Sequence, residues 1–191
     1  MDPTYPLVPV VNILSAVLIS LTLLASALGR SANAGVVMLG IWLLIVAIWL
    51  GADTIVWARD ARVVIPVWCK IWAHVAIASD VGVPACSMVI VRRLYNIIYN
   101  PRSLVSSRRE RIRALAFDIC LGMGLPFFIM ALLSIIKPVQ FVIEEEYGCS
   151  STISGSVLYL VMVDCTSVIL PALSIFFYCR NAKPSSSHVS F

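Results

Sequence analysis

LVPVVNILSAVLISLTLLASAL, the run from Leu7 to Leu28, carries no charged side chain at any position. A helix needs about 20 apolar residues to cross the hydrocarbon core of a bilayer, and this run meets that length. Four more stretches repeat the pattern downstream. The second runs from about Ala34 to Trp57 and is interrupted by Asp53. The third, about Ile65 to Val91, holds Lys70, His74 and Asp80. The fourth spans Ala114 to Ile136 with Asp118 near its start. The fifth covers Ile153 to Tyr178 with Asp164 near its centre. Connections are short except for Arg92–Arg113 and Lys137–Thr152. The reading is a transmembrane domain over residues 1–180, followed by a Ser-rich tail, 181–191, expected to be disordered.

Composition agrees. Of the 191 residues, 60% are hydrophobic and 13% charged, and mean hydropathy is +0.95. Soluble domains carry nearer a quarter charged residues. An open sheet edge cannot lie in lipid, because its backbone groups would lack partners. The runs are also too long and continuous for barrel strands. The expected fold class is therefore all-α integral membrane.

Seven of the 14 Lys and Arg residues lie between Arg92 and Arg113. With the amino terminus outside, cytoplasmic segments receive Arg30, these seven arginines, Arg180 and Lys183. The external side receives Arg59, Arg62 and Lys137, with Lys70 near the start of the third run, and the acidic Glu144-Glu145-Glu146. Excess positive charge marks the cytoplasmic side, so the amino terminus is placed outside. The basic segment then binds anionic lipid headgroups, presents charge to an acidic protein partner, or simply sets topology.

Cys69 and Cys149 both fall at the outer side, where disulfides persist. They form a bridge across the mouth or remain two unpaired thiols. Trp42, Trp49, Asp53 and Trp57 fall within about 80° of one another on a helix. A carboxylate in a span turns toward the bundle or a wet cavity, so this stripe reads as an interior face, or as one served by interfacial water. Lys70 and His74, four residues apart, are candidate walls of an outward-opening pocket. Alternatively, Lys70 snorkels to the headgroups and His74 makes an ordinary interhelical hydrogen bond. Asp164 pairs with Lys70 or stays protonated. Pro84, Pro126 and Pro171 interrupt their helices. No hydrolase, metalloprotease or phosphate-loop motif occurs, and the two His residues cannot build a metal cluster. No catalytic residue, metal site, cofactor or nucleic-acid partner is expected.

From the second run to the fifth, several blocks carry a resemblance. They are Pro66-Val67-Trp68-Cys69, Val81-Gly82-Val83-Pro84-Ala85-Cys86-Ser87 and Arg92-Arg93-Leu94-Tyr95. Asp118 to Gly122 through Pro126 follows, then Gln140-Phe141 to Glu145 leading to Tyr147-Gly148-Cys149, and finally Tyr178-Cys179-Arg180. Their order and spacing resemble the fungal mating pheromone receptors for lipid-modified peptides, class D G-protein-coupled receptors. The resemblance implies a multi-pass plasma-membrane protein, a prenylated (farnesylated) peptide pheromone as ligand, and a heterotrimeric G protein as partner. It leaves receptor homo- or hetero-oligomers open. On this reading Trp49, Asp53, Lys70, His74 and Asp164 are the ligand-binding candidates. Arg92, Arg93, Tyr95, Arg108, Arg109, Arg111 and Arg113 are the G-protein-coupling candidates. The chain departs from the family at Lys70, where an acidic residue is usual, and at Asp164, where the usual residue is apolar or aromatic. It holds five of the family's seven helices. A shortened, non-signalling receptor that modulates full-length ones, and a small transporter built on the membrane carboxylates, are the alternatives.

Overall fold

A computed structural model describes residues 7–29, 33–57, 65–99, 108–136, 141–144, 148–151 and 157–181. The chain is an all-α membrane protein with one short hairpin at its outer side. Helix α1 is Leu7–Leu28, α2 is Ala34–Val56 and α3 is Pro66–Tyr99. Helix α4, Arg108–Ile136, contains a π-helical turn at Cys120–Gly124. Helix α5, residues 157–181, contains another at Leu160–Asp164. Strands β1 (Phe141–Glu144) and β2 (Gly148–Ser151) pair antiparallel, with Ile143 opposite Cys149. Among the described residues four helices, α1 to α4, are long and apolar enough to cross a membrane. The apolar stretch of α5, Leu160–Leu173, is shorter.

Burial divides the helices into a centre and a periphery. In α1 only 6% of the apolar window is buried against protein, against 44% in α3. Helix α3 is thus the hub, packed by α2, α4 and α5, while α1 lies on α2 with its leucines facing outward. Outward-facing Leu and Ile are what a lipid-exposed helix requires, since acyl chains are as apolar as they are.

At two of the three interrupting prolines, Pro84 and Pro126, the orphaned carbonyl finds a new donor. Pro84 cannot donate to Asp80 O, four residues earlier; Ser167 Oγ of α5 donates there instead, at 2.9 Å. Pro126 cannot donate to Gly122 O. In its place Trp42 Nε1 of α2 donates at 3.1 Å and Cys86 Sγ of α3 at 3.6 Å. Buried backbone acceptors must be satisfied in lipid, so these side chains fix how α2, α3, α4 and α5 meet. Close approach does the rest: a Cβ on Gly82 would fall 2.6 Å from the Trp42 indole.

One expectation changes. The segment 92–113, read as a loop, is helical at both ends, because α3 continues to Tyr99 and α4 begins at Arg108. The reason is that Arg92 and Arg93 have a buried partner in Asp118 and need not leave the helix. The tail from residue 182 onward lies outside the described residues.

Candidate functional site

The outer end is built around Asp53, one turn from the end of α2 and fully buried. Its Oδ1 accepts from Trp68 Nε1 of α3 at 2.7 Å. Its Oδ2 accepts from the backbone N–H of Cys149 in β2 at 3.2 Å. Cys149 is also joined to Cys69 of α3 by a disulfide, with Cα atoms 5.2 Å apart. One carboxylate and one covalent bond therefore hold the hairpin over the ends of α2 and α3. Beneath it Trp49 stacks on Trp68 with centroids 3.9 Å apart, and Trp72 lies 5.4 Å away on a nearly parallel plane. Trp57 completes the buried cluster with both cysteines. The Trp49 indole N–H is buried and has no acceptor among the described residues. The stripe Trp42, Trp49, Asp53, Trp57 does face inward.

Lys70 and His74 stand differently. Lys70 is exposed, and His74, half-buried, is bonded through Nδ1 to Lys70 O at 2.7 Å within its own helix. Among the described residues Lys70 makes no ion pair with Asp164. Asp164 lies instead on the segment of α5 that bonds Asp80: Tyr159 Oη donates to Asp80 Oδ2 at 2.6 Å and Ser167 Oγ donates to Asp80 O at 2.9 Å. The candidate ligand residues thus fall into three places: Trp49 and Asp53 under the hairpin, Lys70 and His74 along outer α3, and Asp164 at the α3–α5 contact.

The inner end has its own carboxylate. Asp118 of α4, 2% exposed, receives Arg92 Nη1 at 3.1 Å and Arg93 Nε at 2.8 Å. Arg93 Nη1 also donates to Asn33 Oδ1 at 3.3 Å, and the same oxygen caps α2 by accepting from Gly35 N. Arg92 lies over the Phe117 ring at 4.3 Å. Sequence reading missed this role for Asp118, although a lone carboxylate a turn inside a span, with adjacent arginines on the preceding helix, was the available signal. Arg108, Arg109, Arg111 and Arg113 are all exposed. Tyr95 is half-buried.

Comparison with known proteins adds a family. A family model described as Pheromone A receptor (STE3) matches residues 7–182. The chain is 28% identical over 177 residues to the Pheromone B alpha 2 receptor of Schizophyllum commune, covering 93% of this chain and 26% of that protein. It is 32% identical over 162 residues to the Pheromone B alpha 3 receptor of Schizophyllum commune, covering 84% and 25%. Pheromone receptor 1 of Mycosarcoma maydis is 23% identical over 145 residues, covering 76% and 40%. The chain therefore spans well under half the length of these relatives.

Proposed function

This chain belongs to the Pheromone A receptor family, and from that premise we propose that it serves as a mating pheromone receptor. It sits in the plasma membrane, binds an extracellular farnesylated peptide, and signals through a heterotrimeric G protein. The observation that carries this reading is the family match from residue 7 to residue 182, through every helix described. The relatives are named as pheromone receptors, and the chemistry of the two ends suits the same task.

At the outer end the stacked, half-buried indoles of Trp49 and Trp68, backed by the buried Trp72, offer a flat apolar surface of the kind a prenyl chain packs against. Lys70 and His74 line the approach along α3, where a peptide carboxylate or carbonyl can be met. Asp53 acts by fixing Trp68 and the hairpin, and Asp164 lies deeper, beside Asp80. At the inner end the G protein meets the basic termini of α3 and α4, which carry Arg92, Arg93, Tyr95, Arg108, Arg109, Arg111 and Arg113.

The test is expression in mating-competent fungal cells that lack their own receptor, challenged with synthetic farnesylated peptides. G-protein nucleotide exchange on addition of a farnesylated peptide, and none with the unmodified peptide, is the expected result. Silence toward every farnesylated peptide at normal surface expression would overturn the reading.

A further inference from the structure

Among the described residues of the 92–113 segment, six arginines divide into two groups with different surroundings. Arg92 and Arg93 are committed to the buried Asp118. Arg108, Arg109, Arg111 and Arg113 are exposed, and none has an ion-pair partner among the described residues. These four occupy four of the first six positions of α4, the others being Glu110 and Ile112. Local physics disfavours them there. The helix N-terminus carries partial positive charge and prefers anions. Arg109 and Arg113, four apart, and Arg108 and Arg111, three apart, are like-charged neighbours on the helix surface. Glu110 is the acid in this first turn, against four arginines, so the start of the helix keeps a net positive charge and is stabilised when an anion lies against it.

Depth identifies the anion. From Arg108 to Arg113 the helix rises about 7.5 Å at 1.5 Å per residue, which matches a headgroup layer of about 5–7.5 Å on each side of the bilayer. From Ala114 to Ile136 it rises about 33 Å, enough to cross the hydrocarbon core of about 30 Å. The four guanidiniums are therefore set at the level of lipid phosphates. Each like-charged pair holds its side chains about 5–6 Å apart at Cβ, a gap one phosphate can bridge. Guanidinium binds phosphate with paired N–H donors, which ammonium cannot do.

We propose that Arg108, Arg109, Arg111 and Arg113 form a binding surface for inner-leaflet lipids bearing phosphate monoesters, the phosphoinositides. The surface requires only the membrane fold and the orientation set by charge, and it does not depend on the receptor reading. The lipid anchors the inner end of α4 while Asp118, on the same helix, holds α3.

The full chain is reconstituted, without G protein, in vesicles containing equal amounts of phosphatidylcholine, phosphatidylserine and phosphatidylinositol bisphosphate. Native mass spectrometry then counts the lipids it retains. Preferential retention of the bisphosphate lipid is expected, with each single Arg→Gln change weakening it about five-fold. The fourfold Arg→Lys variant should keep general anionic attraction but lose the preference for the bisphosphate lipid over phosphatidylserine. Equal retention of all three lipids by the natural chain would overturn the proposal. Unchanged retention in the fourfold Arg→Gln variant would do so too, and if that variant also lost G-protein exchange, the arginines would be a protein-docking surface alone.

Discussion

The two ends of the bundle solve one problem in opposite ways. Each contains a buried carboxylate that ties three segments together: Asp53 joins α2, α3 and the hairpin, and Asp118 joins α4, α3 and, through Arg93, the start of α2. Asp118 is met by two guanidiniums. Asp53 is met by an indole and a backbone amide, both neutral, and a disulfide closes beside it. The inner tie is thus electrostatic and reversible, whereas the outer one is covalent with a polar supplement. The difference follows from the compartments, since disulfides persist outside and arginines gather inside. It assigns rigidity to the outer end and the capacity to move to the inner end.

The largest effect should come from the covalent tie. Cys69→Ala with Cys149→Ala removes a link between residues 80 apart, which is worth about 4 kcal/mol in the chain-entropy account. Thermal unfolding in detergent should show that loss, and hydrogen exchange should rise at the hairpin while the start of α4 stays protected. Asp118→Asn comes next. It strands two arginines, at a cost of about 3 kcal/mol, toward the lower end for a broken buried pair because Arg92 and Arg93 keep partial access to water. Spin labels at the inner ends of α3 and α4 should then show a broader distance distribution; an unchanged one would remove the contrast drawn between the two ends.

Between the ends, Gly82→Ala drives a methyl into the rigid Trp42 indole and should cost about 2 kcal/mol. Gly122→Ala meets the flexible end of Met38 at 2.9 Å and Cys86 Sγ at 3.2 Å and should cost less, about 1 kcal/mol, so paired melting curves test whether Trp42 is the fixed point. Asp53→Asn should cost least of the tie-breaking changes, about 1 kcal/mol, because neutral donors keep one acceptor and the disulfide remains. That loss should grow when the two cysteines are also replaced, and strict additivity in the double-mutant cycle would show that the two outer ties are independent.

The spans were readable because lipid demands length and apolarity before anything else: Leu7–Leu28 could be little but a spanning helix. The inward stripe from Trp42 to Trp57 was readable from helical periodicity and the cost of Asp53. The inner extension of α3 was not, since Arg92 and Arg93 look like loop residues until Asp118, 25 residues away, supplies their partner. The hairpin escaped for a related reason. Phe141–Glu144 is too short for a pattern and is held by pairing with β2 and by the Asp53 contact to Cys149. Trp42 could be assigned to the interior, but its donation to the carbonyl that Pro126 leaves free depends on the π-helical turn of α4, which composition does not announce. At the candidate site, residue types were legible and their grouping was not: Asp164 lies with Asp80 and Tyr159 rather than with Lys70.

Everything about the two ends presupposes that they lie on opposite sides of a bilayer. Single cysteines can be placed at Leu7, exposed at the start of α1, and at Arg109, in a chain that keeps only the Cys69–Cys149 bridge. A membrane-impermeant maleimide applied to intact cells should label Leu7→Cys at once and Arg109→Cys only after permeabilisation. Labelling of Arg109→Cys in intact cells would contradict the orientation and the roles assigned to both ends.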